Sequence, residues 1–388
     1  MNLQKATICT LAAVLSVSLY GEEAASAAAE TKENAELEAE IAYVEQLVNN
    51  GYPDIAGPVI DATKKKWPES EARFFAIEIR GMLAMGQFEE ATKKIAALPD
   101  RTSTKYWAAN LEMANNYFGR GQKAECMKIY DGFFKAFPKP PPSIQKFYTD
   151  ACYAYGQLLV GDRQYAKAAQ RYEQLLLQVK DEGWWCNTAC ETVDIYLRLA
   201  ADLAKDPKKQ KELLGTLNAA DKIVGKLLWK NETQPLYFGR AVSMKAHIEQ
   251  LRGDMTKAAG IIDEYKGMLE EIHQQIVAAD PDGKQGLLKQ SPLPECLYLQ
   301  AKMLWDEAQR AYKAPKREDE KIKSYMFGPK KEGGKRDVGK GAFAMAQGVF
   351  LNYETSSWAP AAGDLSQTIR EFAEKNYGAK IKTKITAE

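Results

Sequence analysis

Few residues of this chain have the type and spacing that chemistry requires. Paired carboxylates occur at Glu89-Glu90 and Glu270-Glu271, but acid–base work needs a sheltered cleft, and on helix surfaces such pairs are ordinarily solvated. The two histidines, His247 and His273, stand in no recognisable motif with a serine or cysteine nucleophile, so an esterase or cysteine-protease constellation is not drawn. Gly334-Lys335-Arg336-Asp337-Val338-Gly339-Lys340-Gly341 approaches a phosphate-binding loop. It lacks the Ser or Thr that would reach magnesium, and no strand precedes it. Arg252-Gly253-Asp254 has the letters of an integrin-binding tripeptide, yet it falls at a turn where Asp254 would cap the next helix. Asn231-Glu232-Thr233 fits a glycosylation acceptor and reads as a polar turn before Pro235. The expectation is a chain without catalysis and without cofactor.

Cysteine chemistry is equally spare. Beyond Cys9 there are Cys126, Cys152, Cys186, Cys190 and Cys296. Cys126 and Cys152 lie almost equally far from a Pro-rich turn, so antiparallel helices would set them opposite each other. They are either a disulfide pair or two small buried residues that never bond. Cys186 and Cys190 share a helix face, a poor geometry for a disulfide, and with no histidine near them in sequence they do not make a metal site.

The elements that must position any site are helices. Apolar residues recur at i, i+3, i+4 spacing and strand alternation is nearly absent. One turn lettering repeats: Gly86-Gln87-Phe88 leading to Ala91, Gly161-Asp162-Arg163-Gln164-Tyr165 leading to Ala168 and Ala169, Gly253-Asp254-Met255 leading to Ala258, and, more weakly, Gly121-Gln122-Lys123 leading to Cys126. In each a glycine ends one helix and a small residue lets the next pack close. Expected helices run from 35 to 49, 55 to 66, 70 to 85 (Ser70 as cap), 88 to 98, 105 to 118, 122 to 137, 143 to 160 (Ser143 as cap), 165 to 179, 184 to 203, 207 to 228, 235 to 251, 255 to 278, 293 to 312, 342 to 351 and on to about Asn376. The repeat unit begins near ~34 residues and stretches to about 45, within the range of helical solenoids.

The residues carrying that repeat resemble the tetratricopeptide repeat family. Tyr155-Gly156, Leu159, Tyr165, Ala168 and Tyr172 match its large–small–large, turn-aromatic, alanine, aromatic pattern. Ala114, Tyr117, Gly121, Tyr130 and Pro138 match in phase, as do Ala246, Gly253, Ala258 and Ile262. The resemblance covers most of the chain, although its leading tryptophan is generally missing. It implies an all-α, right-handed α-solenoid of about seven helix pairs occupying residues 28–312, and a scaffold of the kind found in bacterial outer-membrane and secretion machinery.

Lys5 followed by the apolar stretch Ala6–Leu19 and an alanine-rich run reads as a secretory signal peptide, 1–27, cleaved after Ala27 or alternatively after Gly21. The expected location is exported, periplasmic or outer-membrane associated. No later segment has the ~18 apolar residues of a membrane span. With 53 basic and 52 acidic residues the net charge is +1, which gives no field for nucleic acid. Residues 313–341 hold Lys316-Arg317, Lys330-Lys331 and Lys335-Arg336 among glycines and prolines and read as a mobile basic loop that buries no apolar surface. A C-terminal helical pair and tail, 342–388, follow it.

Function is expected in a concave face made by the first helix of each pair, holding a protein or peptide partner in a cell-envelope assembly. Trp107, Asn110, Asn115, Tyr148, Tyr155, Tyr237 and Lys245, all on first helices, are the candidate contacts. A glycan-binding scaffold with Trp184 and Trp185 as stacking platforms is the alternative, and an exported enzyme with a site in the irregular later repeats is the third reading.

Overall fold

The computed structural model describes residues 25–140 and 144–379, with side chains from residue 35 on. The expected signal peptide lies outside the described residues except for its last three positions, as do the Ser143 cap and the tail from Lys380. Among the described residues there are sixteen α-helices and no strand, only an isolated antiparallel bridge between Lys330 and Arg336. No described helix is long and apolar enough to cross a membrane.

The chain divides into two compact units, Met1–Val179 and Lys180–Glu388. In the first are α1 (Ala25–Asn49), α2 (Pro53–Lys66), α3 (Glu71–Ala84), α4 (Phe88–Ala96), α5 (Thr104–Gly119), α6 (Lys123–Ala136), α7 (Gln145–Gly161) and α8 (Tyr165–Leu176). In the second are α9 (Glu182–Leu203), α10 (Gln210–Leu228), α11 (Pro235–Arg252), α12 (Met255–Ala279), α13 (Pro292–Lys313), α14 (Asp319–Phe327), α15 (Ala342–Asn352) and α16 (Ala359–Tyr377). Neighbours in sequence pack as pairs, such as α5 on α6, α7 on α8, α9 on α10 and α11 on α12. First helices also pack on first helices: α1 on α3, α3 on α5 and α5 on α7 in the first unit, α9 on α11 and α11 on α13 in the second.

The repeated lettering makes one physical turn. The amide of Gln87 donates to the Met82 carbonyl at 2.9 Å, Gln122 to Tyr117 at 2.8 Å, Gln164 to Leu159 at 2.8 Å and Asp254 to Glu249 at 3.0 Å. Each closes the helix end through a residue with left-handed backbone. That residue is Gly86, Gly121 or Gly253, with φ of +78°, +72° and +90°. In the fourth copy the sequence suggests Gly161, but Gly161 ends α7 and the left-handed position is held by Arg163, at φ +58°. Five residues after that position stand Ala91, Cys126, Ala168 and Ala258, every one fully buried. Cys126 is therefore the small residue of a helix crossing. Close approach recurs at Gly156, where an added Cβ would fall 2.5 Å from the Tyr172 ring. That contact explains the large–small Tyr155-Gly156 pair.

Residues 313–341 depart from expectation. They include α14, whose Ile322 and Met326 are fully buried with Trp305, Ala308, Phe343 and Ile369 in one apolar cluster. Two side chains four residues apart on one face bury enough to hold a helix in a segment whose composition suggested none.

Candidate binding grooves

Each unit has a groove lined mainly by its first helices. In the first unit the site is built around Arg80 of α3. Its guanidinium forks onto Glu112 of α5, with Nε to Oε2 at 3.0 Å and Nη2 to Oε1 at 2.7 Å. Glu45 of α1 lies 3.7 Å from Arg80 and also 3.7 Å from Lys146 of α7. Ile77, Leu111, Phe147 and Ala151 supply apolar walls around a cavity of about 130 Å³. Loss of water lowers the Arg80 pKa, but the bond to Glu112 and the charges of Glu112, Glu45 and Asp150 more than offset this and raise it. Asp150, on the same face, is pushed up by loss of water, and Glu45 and Glu112 add to that against the pull of Lys146 and Arg80. The arginine is held in a two-point fork, with a second carboxylate at 3.7 Å, and little space remains.

In the second unit the corresponding residue is Arg240 of α11. Asp194 of α9 lies at 3.2 Å from Nη2, a single contact, and Glu295 of α13 flanks the other side. Ser243 Oγ is 2.8 Å from Glu295 Oε1 and 2.9 Å from the Arg240 carbonyl oxygen. One hydroxyl proton cannot serve both acceptors. Glu295 is pushed up by desolvation, which the Ser243 bond and Arg240 only partly oppose; once protonated it donates to Ser243 and frees the serine proton for the carbonyl. Asp194 is likewise pushed up by desolvation against the pull of Arg240 and Arg198. The groove has a volume of about 780 Å³. Leu197, Met244, Leu251 and Met255 form its apolar surface, with Gln250, Arg198, Asp306 and Arg310 among them. Trp358 at its edge stacks on Tyr298, ring centroids 5.3 Å apart.

His247 also faces this groove. Water reaches its ring, yet the concave setting strips part of its hydration and lowers its pKa, with Lys302 adding to the effect. Among the described residues no hydrogen bond joins Ser243 to His247; the serine is bound to Glu295 and a carbonyl. The arrangement offers donors, acceptors, charges of both signs and apolar surface along one face, which suits recognition of an extended ligand.

The structure scatters the residues singled out from sequence. Tyr148 and Tyr155 are each 1% exposed and belong to the core, their hydroxyls donating to the Pro138 carbonyl at 3.3 Å and to Asp131 at 2.6 Å. They lie on α7's inward stripe, while its groove stripe carries Lys146, Phe147, Asp150, Ala151 and Ala154. Asn115 does reach the first groove. Trp107 and Asn110 line a different cleft of about 410 Å³, with Tyr106, Met113, Tyr117 and Ile129. Lys245 is engaged by Asp221 of α10 and Tyr237 is half-buried, neither on the second groove. Trp184 is exposed and Trp185 half-buried in the first turn of α9, capped by Asp181, whose carboxylate accepts the Trp184 amide at 2.7 Å. Cys126 and Cys152 are free, buried thiols, pushed up to about 11 and about 12 by desolvation, so the disulfide alternative is not formed in this structure. Cys186 and Cys190 are buried as well, and the described residues hold no group of His, Cys, Asp and Glu arranged for a metal ion.

Sequence reasoning missed Arg80, Glu112, Asp194, Arg240 and Glu295, and considered His247 only as a partner for a nucleophile. The available signal was a charge set inside an apolar first helix, as in Ile79-Arg80-Gly81, Val193-Asp194-Ile195 and Gly239-Arg240-Ala241. No protein-family model matches this chain, and no curated protein matches it in sequence.

Proposed function

We propose that this chain is a non-catalytic scaffold built of tetratricopeptide-type solenoid repeats, exported to a bacterial cell envelope, where the second unit's groove holds a polypeptide partner. The observation that carries the reading is that groove itself: α9, α11 and α13 pack in succession and present one continuous face on which Arg240, His247 and Gln250 alternate with Leu197, Met244 and Leu251. A peptide backbone offers acceptors and donors along its length, and its side chains offer apolar anchors at intervals, which this lining complements. Export rests on Lys5 and the apolar stretch after it. A photo-crosslinking residue in place of Gln250, in cells expressing the full chain, tests the reading. A covalent polypeptide adduct that disappears in Arg240→Glu supports it; absence of any adduct, or one unchanged by Arg240→Glu, overturns it.

One observation favours a second reading, glycan binding. Trp358 stacked on Tyr298 at the groove edge gives a flat aromatic face beside hydrogen-bonding side chains. Calorimetric titration with oligosaccharides, comparing the parent with Trp358→Ala, decides it: retained sugar binding in the variant removes this mechanism.

A further inference from the structure

Residues 313–340 carry ten basic and five acidic side chains, a net of +5 in a chain whose total is +1, so everything else sums to −4. Charge this segregated needs a reason, and the segment's fold supplies a stage for it. After α14 is pinned by Ile322 and Met326, the chain turns at Gly328 (φ +84°), where an added Cβ would lie 1.8 Å from the Asp337 carbonyl oxygen. The Asp337 amide donates to the Pro329 carbonyl at 2.8 Å, the Lys331 amide to the Lys335 carbonyl at 2.7 Å, and Arg336 Nη1 to the Gly328 carbonyl at 3.0 Å. The result is a closed knuckle, 328–341.

Its cations outnumber the carboxylates that could satisfy them. Lys330 and Arg336 share Glu320, each at 2.9 Å, and Lys331 takes Asp337 at 3.3 Å. Lys335 and Lys340 are exposed, and no ion pair among the described residues involves either. We propose that this knuckle is an electrostatic docking site for an acidic polypeptide segment, separate from the groove.

The chemistry selects that partner class. Four of the five cations are lysines, point charges that pair singly with carboxylates, rather than the arginine forks that match phosphate. The knuckle contains no aromatic residue on which a nucleic-acid base could stack. Val338 is its only exposed large apolar side chain, too little to anchor it in a bilayer. Because the backbone is already closed by its own hydrogen bonds, binding orders side chains and little else.

The test uses the full chain and a fluorescent polyglutamate peptide of about twenty residues, read by anisotropy at roughly 50 mM salt. Polyglutamate binding is expected, weakened about tenfold or more by combined Lys331→Glu, Lys335→Glu and Lys340→Glu and falling steeply with added salt. The same reversals at Lys208, Lys209 and Lys211, an exposed basic cluster elsewhere, leave it within about twofold. Circular dichroism checks the fold, and a Lys→Gln triple, expected to weaken binding about threefold, replaces the reversal should that variant misfold. Polyglutamate affinity unmoved by the knuckle variants, equal loss in the Lys208 cluster control, or tighter knuckle-dependent binding of single-stranded DNA or phosphatidylglycerol vesicles would overturn the proposal.

Discussion

The two grooves use the same device to opposite ends. In both, an arginine on a middle first helix stands between carboxylates from neighbouring first helices. Arg80 is forked onto Glu112, whose side chain is 6% exposed, around a cavity of about 130 Å³. Arg240 makes one contact with Asp194, the two side chains 36% and 44% exposed, beside a space of about 780 Å³. A bidentate pair with its carboxylate buried fixes the guanidinium's plane and serves the fold, although Arg80 is itself 29% exposed. An open, singly bonded one keeps donors for a visitor.

The largest test of that contrast is the same substitution made on both sides. Glu112→Gln removes the buried carboxylate onto which Arg80 forks, leaving Glu45 at 3.7 Å, and is expected to cost about 3 kcal/mol in urea unfolding. Glu295→Gln is expected to change stability by less than about 0.5 kcal/mol, or to raise it, because a group already pushed toward its neutral form loses little by becoming neutral permanently. The sign follows from linkage. Glu295 has a folded pKa above the ordinary value of 4.5, so its contribution is full below that value and is lost as pH rises through the folded pKa. Glu78 runs the other way: although burial raises it, hydrogen bonds from Lys64 and Lys94 lower it overall, so its contribution is present above pH 4.5 and is lost as pH falls through the folded pKa. Equal losses for Glu112→Gln and Glu295→Gln at pH 7 would erase the distinction between the grooves.

A double-mutant cycle measures the pairs directly. Coupling between Arg80 and Glu112 is expected near 2 kcal/mol, whereas Arg240 with Asp194, half in solvent, should show less than about 1 kcal/mol. A smaller effect again separates the units by pH. Both histidines lie in the second unit, and desolvation lowers both, with Lys302 contributing at His247. Two imidazole signals titrating below 6.5 in proton NMR are expected. A group depressed in the fold makes stability full above pH 6.5 and erodes it as pH falls through the folded pKa; a midpoint above 6.5 for either ring would contradict the packing described here.

The helices were legible because their ends are local chemistry. Pro53, Pro235, the Asp254 cap and the glycines before Gln87 and Gln122 fix boundaries without help from distant residues. The groove was not legible, because which stripe of a first helix faces inward depends on what packs behind it. Tyr155 and Asp150 stand five apart on α7, and only the contacts with Phe134 and Tyr130 decide that the tyrosine is core. In 313–341 composition outweighed periodicity: lysines and glycines hid the i, i+4 pair Ile322 and Met326.

A further small effect concerns the turns that set the helix pairs. Arg163 holds a left-handed backbone in the first unit where Gly253 holds it in the second. A Cβ in that region clashes with the following carbonyl, a cost of about 1 kcal/mol that glycine avoids while giving back part of it in unfolded-state entropy. Arg163→Gly is therefore expected to stabilise by roughly 0.5 kcal/mol and Gly253→Ala to destabilise by about 1 kcal/mol. Loss of stability in Arg163→Gly would mean that the arginine side chain offsets its own strain. The turn before α8 would then differ in kind from the turn before α12, rather than only in the residue that occupies it.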